Sequence, residues 1–424
     1  MSVESLLACL PPQAVYRRVP LEPDRSALEP WREAVQRFVK PEDEQDIWGE
    51  LIFGSRENGN GEALLTVDPV LAQQVLGQNA TALELLYDGV RRGQVQFPEV
   101  HALEQVSGDS EFVYRLGELA RLPFIRFKVL AAGGDWPAAT DELVRLLRIG
   151  EMICNGEGQV LHYLIGLWIR SAAQRAIAQV AGHRRAPREV LGRLLEAVQR
   201  SLNSPDGLSQ SLRIDFCGVV LPQFDRTVDD AELPAVVDRI LEVYYAPRQV
   251  DAEQPLASQS AASAAAWLSH CRQQIPRLLE GHPKPFDKAA TARLMGEMIA
   301  EWVEDLTAIE KPGFLDFIGK FRRVRMRLHR DQLAQTNRYW PEELMPGFPY
   351  ESFNNAGPPG GIAIQRKPAT DEEILAARDD LRTVANPIGL LLVEHVLSFD
   401  YTAFMLEHRT KLKETRKALA RQIR

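Results

Sequence analysis

The stretch GGDWPAATDELVRLLRIGEMI, residues 133–153, gives the strongest indication of fold in this sequence. It begins with a glycine-aspartate turn, continues through the small residues Ala138 and Ala139, and then places leucine at 143, 146 and 147. Apolar residues three or four positions apart share one face of a helix, so these leucines define a buried stripe. The stretch therefore predicts a turn followed by an amphipathic helix, as in a helical hairpin.

This stretch resembles the turn and second helix of a tetratricopeptide-type hairpin. No second copy follows at that family's period of roughly 34 residues, so the resemblance is confined to 133–153. Together with RTVANPIGLLL, residues 382–392, the stretch also resembles a group of uncharacterised, mostly helical bacterial proteins. That resemblance implies a helical fold and supplies no activity, cofactor or site residue.

Helix starts recur elsewhere in the chain. Three pairs place a capping residue before a proline suited to the first helical position: Asp68-Pro69, Ser204-Pro205 and Asn386-Pro387. Thr370 and Glu373 form a capping box, in which each side chain can bond the other's backbone amide. The segment 287–310 is also predicted to be a helix, and its apolar stripe consists of Met295, Ile299, Trp302, Leu306 and Ile309.

Alternation typical of a half-buried strand is scarce. Ile362 and Ile364 can form one short strand, and residues 51–67 contain a hairpin-like Asn-Gly centre between poorly alternating flanks. We therefore predict an all-α protein of stacked helical hairpins, in a solenoid-like or irregular array, with at most one or two short strands.

The length of 424 residues is sufficient for two domains. Apolar periodicity is lost in PRQVDAEQPLASQSAAS, residues 247–263, where proline, glutamine, serine and alanine dominate. The sequence thus predicts an N-terminal helical domain at 1–250, a linker or crossing loop at 251–263, and a C-terminal helical domain at 264–424. The last of these contains a long irregular loop at 336–369.

Composition is that of an ordinary soluble protein, with 45% apolar and 25% charged residues. The longest apolar run, 160–169, ends at Arg170 and is shorter than the roughly 20 residues of a bilayer span. The N-terminus lacks the cationic start and apolar run of a signal peptide. Four widely spaced cysteines are predicted to be buried free thiols in a reducing compartment: Cys9, Cys154, Cys217 and Cys271. We therefore expect a cytoplasmic protein without membrane insertion.

Familiar catalytic motifs fail on spacing. His329-Arg330-Asp331 looks like a kinase catalytic triplet, but the asparagine required five residues after Asp331 is Thr336. The glycines at 54 and 59 have phosphate-loop spacing, but Asn60 replaces the lysine. Glu297, Glu301 and Glu304 share a helix face that is typical of solvated surface. The sequence therefore predicts no catalytic, cofactor-binding or metal-binding residue, and an enzyme with a site composed of distant residues stays an alternative.

Positive charge is concentrated in GKFRRVRMRLHRDQ, residues 319–332, although the net charge of the chain is −8. On a helix over 314–330, four cations form one line opposite the apolar face: Lys320, Arg323, Arg327 and Arg330. Arg325 falls near the apolar face, so we expect it to be at least half buried beside a carboxylate. The following segment contains Tyr339 and Trp340. Their rings either anchor the loop as a buried apolar plug or stack on a ligand, and the second interpretation adds them to the predicted binding residues of the basic line.

The sequence leaves three hypotheses about function open. We expect a non-catalytic interaction or scaffold protein that binds an acidic protein partner. The alternatives are a nucleic-acid-associated protein that uses 320–330 and an enzyme with an unrecognised composite site. For the basic line itself, plain solvated surface and pairing with an acidic segment of the same chain also stay open. The acidic net charge disfavours long-range attraction to nucleic acid, so an acidic protein surface ranks first.

The C-terminal segment carries a heptad seam, with members alternately four and three positions apart. Its residues are Tyr401, Met405, His408, Leu412, Thr415, Leu419 and Gln422. Because three of them are polar, we predict a weak zipper that docks on the body of the protein or on a second copy through 400–424. His408 is then a histidine at the edge of the core, not a catalytic base.

Overall fold

The computed structural model describes residues 3–41, 67–99, 103–183, 186–227, 233–240, 269, 272–273, 275–310, 378, 382–389 and 401–423. These described residues are 77% helical and contain no strand. Among these residues, one pair, Ser26 and Gln94, forms an isolated parallel bridge. The all-α prediction is confirmed. The two proposed strand segments are left undescribed by the structure at 51–66 and at 362–364.

Fourteen α-helices are described. They are α1 (Val3–Leu7), α2 (Leu28–Arg37), α3 (Pro69–Gln78), α4 (Ala80–Arg92), α5 (Leu103–Leu119), α6 (Arg121–Ala132), α7 (Trp136–Cys154), α8 (Val160–Gly182), α9 (Arg188–Asn203), α10 (Leu208–Asp215), α11 (Leu221–Thr227), α12 (Leu233–Ile240), α13 (Lys288–Glu310) and α14 (Tyr401–Ile423). A 3₁₀ turn occupies Pro23–Arg25, and a π-helical turn occupies Phe216–Val220. Among the described helices, none has the length and apolarity required to span a bilayer.

The chain divides into two compact units that are discontinuous in sequence. The larger unit contains the described parts of Gln13–Val219, Glu301–Asp316 and Tyr401–Arg424. The smaller unit contains those of Met1–Pro12, Val220–Ala300 and Phe317–Asp400. The predicted linker at 251–263 and the predicted irregular loop at 336–369 lie outside the described residues, so these boundaries stay predictions.

The helical hairpin predicted from 133–153 is present in the larger unit. Gly134 adopts a positive φ of 80°, which a glycine tolerates without steric cost, and the chain reverses there between α6 and α7. The Asp135 side chain accepts a hydrogen bond from the Ala138 amide at 3.2 Å and caps α7. The predicted apolar face is buried: Ala139, Leu143, Leu146 and Leu147. The turn chemistry and the stripe together fix where α7 begins and which face it buries.

Helices α7 and α8 approach each other through glycine. A Cβ atom placed on Gly150 would lie 2.7 Å from the carbonyl oxygen of Gly166, and one on Gly166 would lie 2.8 Å from that of Gly150. Both distances are shorter than any ordinary carbon contact, so the two backbones can be this close only because neither residue has a side chain. The pair therefore sets the spacing of α7 and α8.

The helix-start predictions have different outcomes. Asp68 caps α3 by accepting from the Val70 and Leu71 amides, at 2.8 and 3.1 Å, as predicted. The start predicted at Ser204-Pro205 is wrong, because α10 begins at Leu208 with Gly207 as its N-cap. Gly207 passes so close to the end of α7 that an added Cβ would lie 1.9 Å from the Cys154 carbonyl oxygen. This close crossing explains why the helix starts later.

The two remaining start predictions concern the C-terminal half. Residues 387–389 are helical, but the Asn386 side chain bonds to another segment of the smaller unit. Its Oδ1 accepts from the Asp287 amide at 2.8 Å and its Nδ2 donates to Thr291 Oγ1 at 2.9 Å. The capping box predicted at 370–373 lies outside the described residues.

The apolar stripe predicted for α13 is confirmed at its four described positions, which are buried: Met295, Ile299, Trp302 and Leu306. In the smaller unit, α1 packs on α11. There Lys288, in the first turn of α13, pairs with Asp225 of α11 at 2.7 Å. This ion pair joins two helices that are more than sixty residues apart in sequence.

The C-terminal seam forms within the chain. Helix α14 packs on α8 and α9, and five seam residues are buried: Met405, His408, Leu412, Thr415 and Leu419. The sixth described position, Gln422, is exposed, which places the end of the seam one turn earlier than predicted. Docking on the body of the protein is thus confirmed for this helix.

Candidate functional site: a cleft above a buried ionic cluster

The binding residues predicted from the sequence lie outside the described residues: Lys320, Arg323, Arg327, Arg330, Tyr339 and Trp340. Arg325, with its predicted buried salt bridge, falls there too. The acidic stripe of α13 is described, and Glu297, Glu301 and Glu304 are all exposed, as expected of solvated surface. No group of three or more side chains suited to holding a metal ion occurs among the described residues.

A cleft of about 510 Å³ opens between α7 and α9 in the larger unit. Its lining combines an apolar floor with polar and charged residues at the edge: Val144, Leu147, Arg148, Glu151, Ala197, Arg200, Asn203, Ser204 and Pro205. We call it the α7–α9 cleft. Leu147 and Ala197 of this floor belong to the hydrophobic core of the unit, and Ser204 and Pro205 of the segment after α9 complete the lining.

The two arginines of the α7–α9 cleft are held differently. Arg148 donates to the Gly93 carbonyl at 2.8 Å and lies 3.4 Å from a carboxylate oxygen of Glu151, so its charge is already engaged. Arg200 is exposed in the last turn of α9 and has no hydrogen-bond or ion-pair partner among the described residues. Of the two, Arg200 is the cation available to an anionic group.

A second groove, of about 750 Å³, lies between α9 and α14. Its lining is Leu195, Glu196, Gln199, Arg200, Arg416 and Ala420. Arg416 donates to Gln199 Oε1 at 3.2 Å, which ties α14 to α9. Arg200 lines both openings, so this side chain can reach a ligand in either one.

A buried ionic cluster lies behind the cleft. Arg170 of α8 and Asp206 of the segment before α10 are each about 2% exposed, and their side chains approach to 3.5 Å. Burial opposes the positive charge of Arg170, but Cys154, Asp206 and Glu151 outweigh it and raise the pKa above its ordinary value. Glu151 also lines the α7–α9 cleft, so the cluster and the cleft share a carboxylate.

The potential nucleophiles of this cluster are held in their protonated forms. Burial raises the pKa of the Cys154 thiol to about 12, against the opposing effect of Arg170. Burial, and then the neighbouring Asp206 carboxylate, raises the pKa of Tyr163 well above its ordinary value. A protonated thiol is neither a nucleophile nor a metal ligand. The arrangement around Cys154 therefore favours a structural role for these groups.

His408 of α14 lies near Arg170 of the buried ionic cluster. Its Nδ1 lies 3.1 Å from Ser171 Oγ, and the side chain is 3% exposed. Burial, followed by the positive charges of Arg170, Arg409 and Lys411, holds the pKa of His408 well below its ordinary value. A neutral, enclosed histidine agrees with the predicted place in the core.

The cysteine predictions are partly wrong. Cys154 is a buried free thiol and Cys217 is a partly buried one, but Cys9 is exposed, because it lies in the turn just after the five-residue helix α1. Cys271 lies outside the described residues.

Sequence reasoning missed Arg170 and Asp206. The apolar run 160–169 was correctly ended at Arg170, but α8 continues to Gly182 and buries that arginine on the same face as Tyr163, seven positions earlier. That i, i+7 spacing was visible in the sequence. The partner was not, because Asp206 belongs to a segment 36 residues away.

Comparison of the chain with protein-family models, with curated proteins and with solved structures found no match in any of the three. Fold and site together define an all-α protein with a helix-lined cleft, and its function has to be inferred from the site.

Proposed function

We propose that this chain is a non-catalytic helical interaction protein that binds an acidic segment of a partner protein in the α7–α9 cleft. The observation that carries the proposal is Arg200, an exposed cation without a partner among the described residues, at the rim of an apolar-floored cleft. An acidic segment with one apolar side chain fits both features, since its carboxylate meets the guanidinium and its apolar group covers the floor.

The chemistry of the surrounding groups favours binding over catalysis. Cys154 and His408 are held in uncharged forms, and both are enclosed. The ion pair of Arg170 with Asp206 joins α8 to the segment that follows α9, and both side chains are buried. A binding surface built mainly on helices holds its side chains in place before the partner binds.

The predicted basic line on 320–330 extends this proposal. Lys320, Arg323, Arg327 and Arg330 offer a second set of cations to the same kind of partner. Because the chain has a net charge of −8, an acidic protein ranks above nucleic acid for this line as well.

Charge reversal at the rim tests the proposal. The probe is a fluorescein-labelled peptide of alternating glutamate and leucine, and its affinity is measured by fluorescence anisotropy at low and moderate salt. Arg200→Glu should weaken binding about fivefold, since an exposed ion pair contributes about 0.2–1 kcal/mol and reversal adds repulsion. Binding by the unaltered protein should weaken as salt rises.

The matched control is Arg188→Glu, the same charge change at an exposed position of α9, about 18 Å away along the helix. It should leave affinity unchanged. Thermal melting of both variants establishes that each is folded. Equal peptide affinities of the Arg200→Glu and Arg188→Glu variants would contradict binding in the α7–α9 cleft. Tighter binding of a single-stranded oligonucleotide than of the peptide would favour the nucleic-acid alternative. Glutamate at all four positions of the predicted line then measures its separate contribution.

A further inference from the structure

The contact of α14 with α8 and α9 combines apolar and polar groups. Met405, Leu412 and Leu419 are fully buried along one face of α14. Between them, the Gln174 side chain of α8 donates to Thr415 Oγ1 at 2.7 Å. His408 takes the remaining polar position, opposite Ser171. These side chains of α14 are therefore buried along the contact, and one of them, His408, can gain a proton.

The charges around His408 are positive. Arg170 approaches from α8, and Arg409 and Lys411 belong to α14 itself. From α9, the Leu202 carbonyl accepts from Arg409 at 3.3 Å, and the Asp206 carboxylate just beyond is paired with Arg170. His408 Nε2 is buried and has no hydrogen-bond partner among the described residues. An imidazolium would thus add a fourth positive charge to those of Arg170, Arg409 and Lys411, with one N–H left without an acceptor among the described residues.

We propose that α14 is a pH-sensitive clasp, in which protonation of His408 releases this helix from α8 and α9. The docked state accommodates the neutral imidazole of His408 and disfavours the imidazolium. His408 therefore binds a proton more readily when α14 is released. Release uncovers the apolar faces of α8, α9 and α14 and removes one wall of the groove between α9 and α14. This switch stands independently of what the α7–α9 cleft binds.

The direction of the pH effect follows from the histidine. When α14 is released, His408 titrates near its ordinary pKa of about 6.5, whereas in the docked state its pKa lies well below that value. The released state therefore binds more protons below about pH 6.5, and docking weakens as pH falls, by up to tenfold per pH unit. Above about pH 7 docking is fully retained.

Hydrogen–deuterium exchange of the full chain, read by mass spectrometry, tests the clasp. After correction for intrinsic rates, amides of 401–423 should exchange about tenfold faster at pH 5.5 than at pH 7.5. Amides of α7 provide the internal reference and should not accelerate, which separates local release from global unfolding. In His408→Gln, which cannot titrate, the acid acceleration should disappear.

His162→Gln is the matched control, because His162 is also buried in the larger unit, but its Nε2 lies 3.1 Å from a carboxylate oxygen of Asp109 of α5. This variant should keep the acid acceleration of 401–423. Unchanged exchange of 401–423 in the wild-type protein at pH 5.5, or equal acceleration in His408→Gln, would overturn the clasp. If His408→Gln does not fold, NMR titration of the wild-type histidines decides, and an ordinary pKa for His408 would overturn it equally.

Discussion

Helix α8 makes two contacts that are built in different ways. Toward α7 it presents Gly166 against Gly150, and the backbones themselves are in contact. Toward α14 it presents Ser171 and Gln174, which bond to polar side chains of the seam. The first contact is made between backbones, whereas the second depends on side-chain hydrogen bonds and on one histidine. The same helix thus belongs to a fixed pair and to a pair that can be released.

Arg170 connects these two contacts. An added Cβ on Gly150 would lie 2.6 Å from Arg170 Cγ, so the stem of the arginine packs at the α7 contact. Its guanidinium pairs with Asp206 and contributes to the field at His408. A change in the ion pair should therefore affect both contacts, while a change in either contact alone should stay local.

The largest effect is expected from Asp206→Ala. Removing the carboxylate leaves Arg170 buried without its main partner, which should reduce the free energy of unfolding by about 3–5 kcal/mol. Urea denaturation measures this loss. Asp141→Ala is the control, since Asp141 pairs with Arg193 in an exposed ion pair and its loss should cost about 1 kcal/mol or less. Equal losses in the two variants would show that Arg170 does not depend on Asp206.

A smaller effect is expected from Gly150→Ala, which tests the fixed contact. The new methyl group would meet the Gly166 carbonyl and the Arg170 backbone amide, so α7 and α8 have to separate. Overpacking against backbone should cost about 2–3 kcal/mol, measured by chemical denaturation. Gly192→Ala on α9 has nothing within 4 Å and should instead stabilise the protein, by up to about 1 kcal/mol. Destabilisation by both variants would indicate a general loss of helix packing.

The smallest effect is expected from the polar pair of the releasable contact. Thr415→Val leaves the Gln174 amide without its 2.7 Å partner and should cost about 1 kcal/mol. The double variant Gln174→Leu with Thr415→Val should recover most of that loss, because both polar groups are then absent. A double-mutant cycle of thermal stabilities provides the measurement. Additive losses would mean that the two side chains act independently.

Local patterns predicted much of this fold. The cap at Asp68, the turn at Gly134-Asp135 and the buried leucines of α7 follow from turn chemistry and helical spacing within a few residues. The seam of α14 was also visible, because its heptad lies within one helix. The start at Ser204-Pro205 failed because the Gly207 segment crosses the end of α7, a contact with a distant part of the chain.

The candidate site was much less predictable. Arg200 resembled any exposed arginine of a helix, and only the packing of α7 and α14 beside α9 places it at the rim of two openings. The basic line on 320–330 was the prominent charge pattern, and it stays a prediction, since those residues are not described.

By itself, the sequence determined that the described chain is helical, where helices such as α3 and α7 begin, and which faces of α7, α13 and α14 are apolar. These properties depend on residues three or four positions apart, which any single helix brings together. Only the tertiary structure decided that Arg170 meets Asp206, that Gly150 meets Gly166, and that His408 is enclosed beside positive charge. Burial and charge pairing depend on segments far apart in sequence, so the energies that set these pairings and pKa values exist only once the helices have packed.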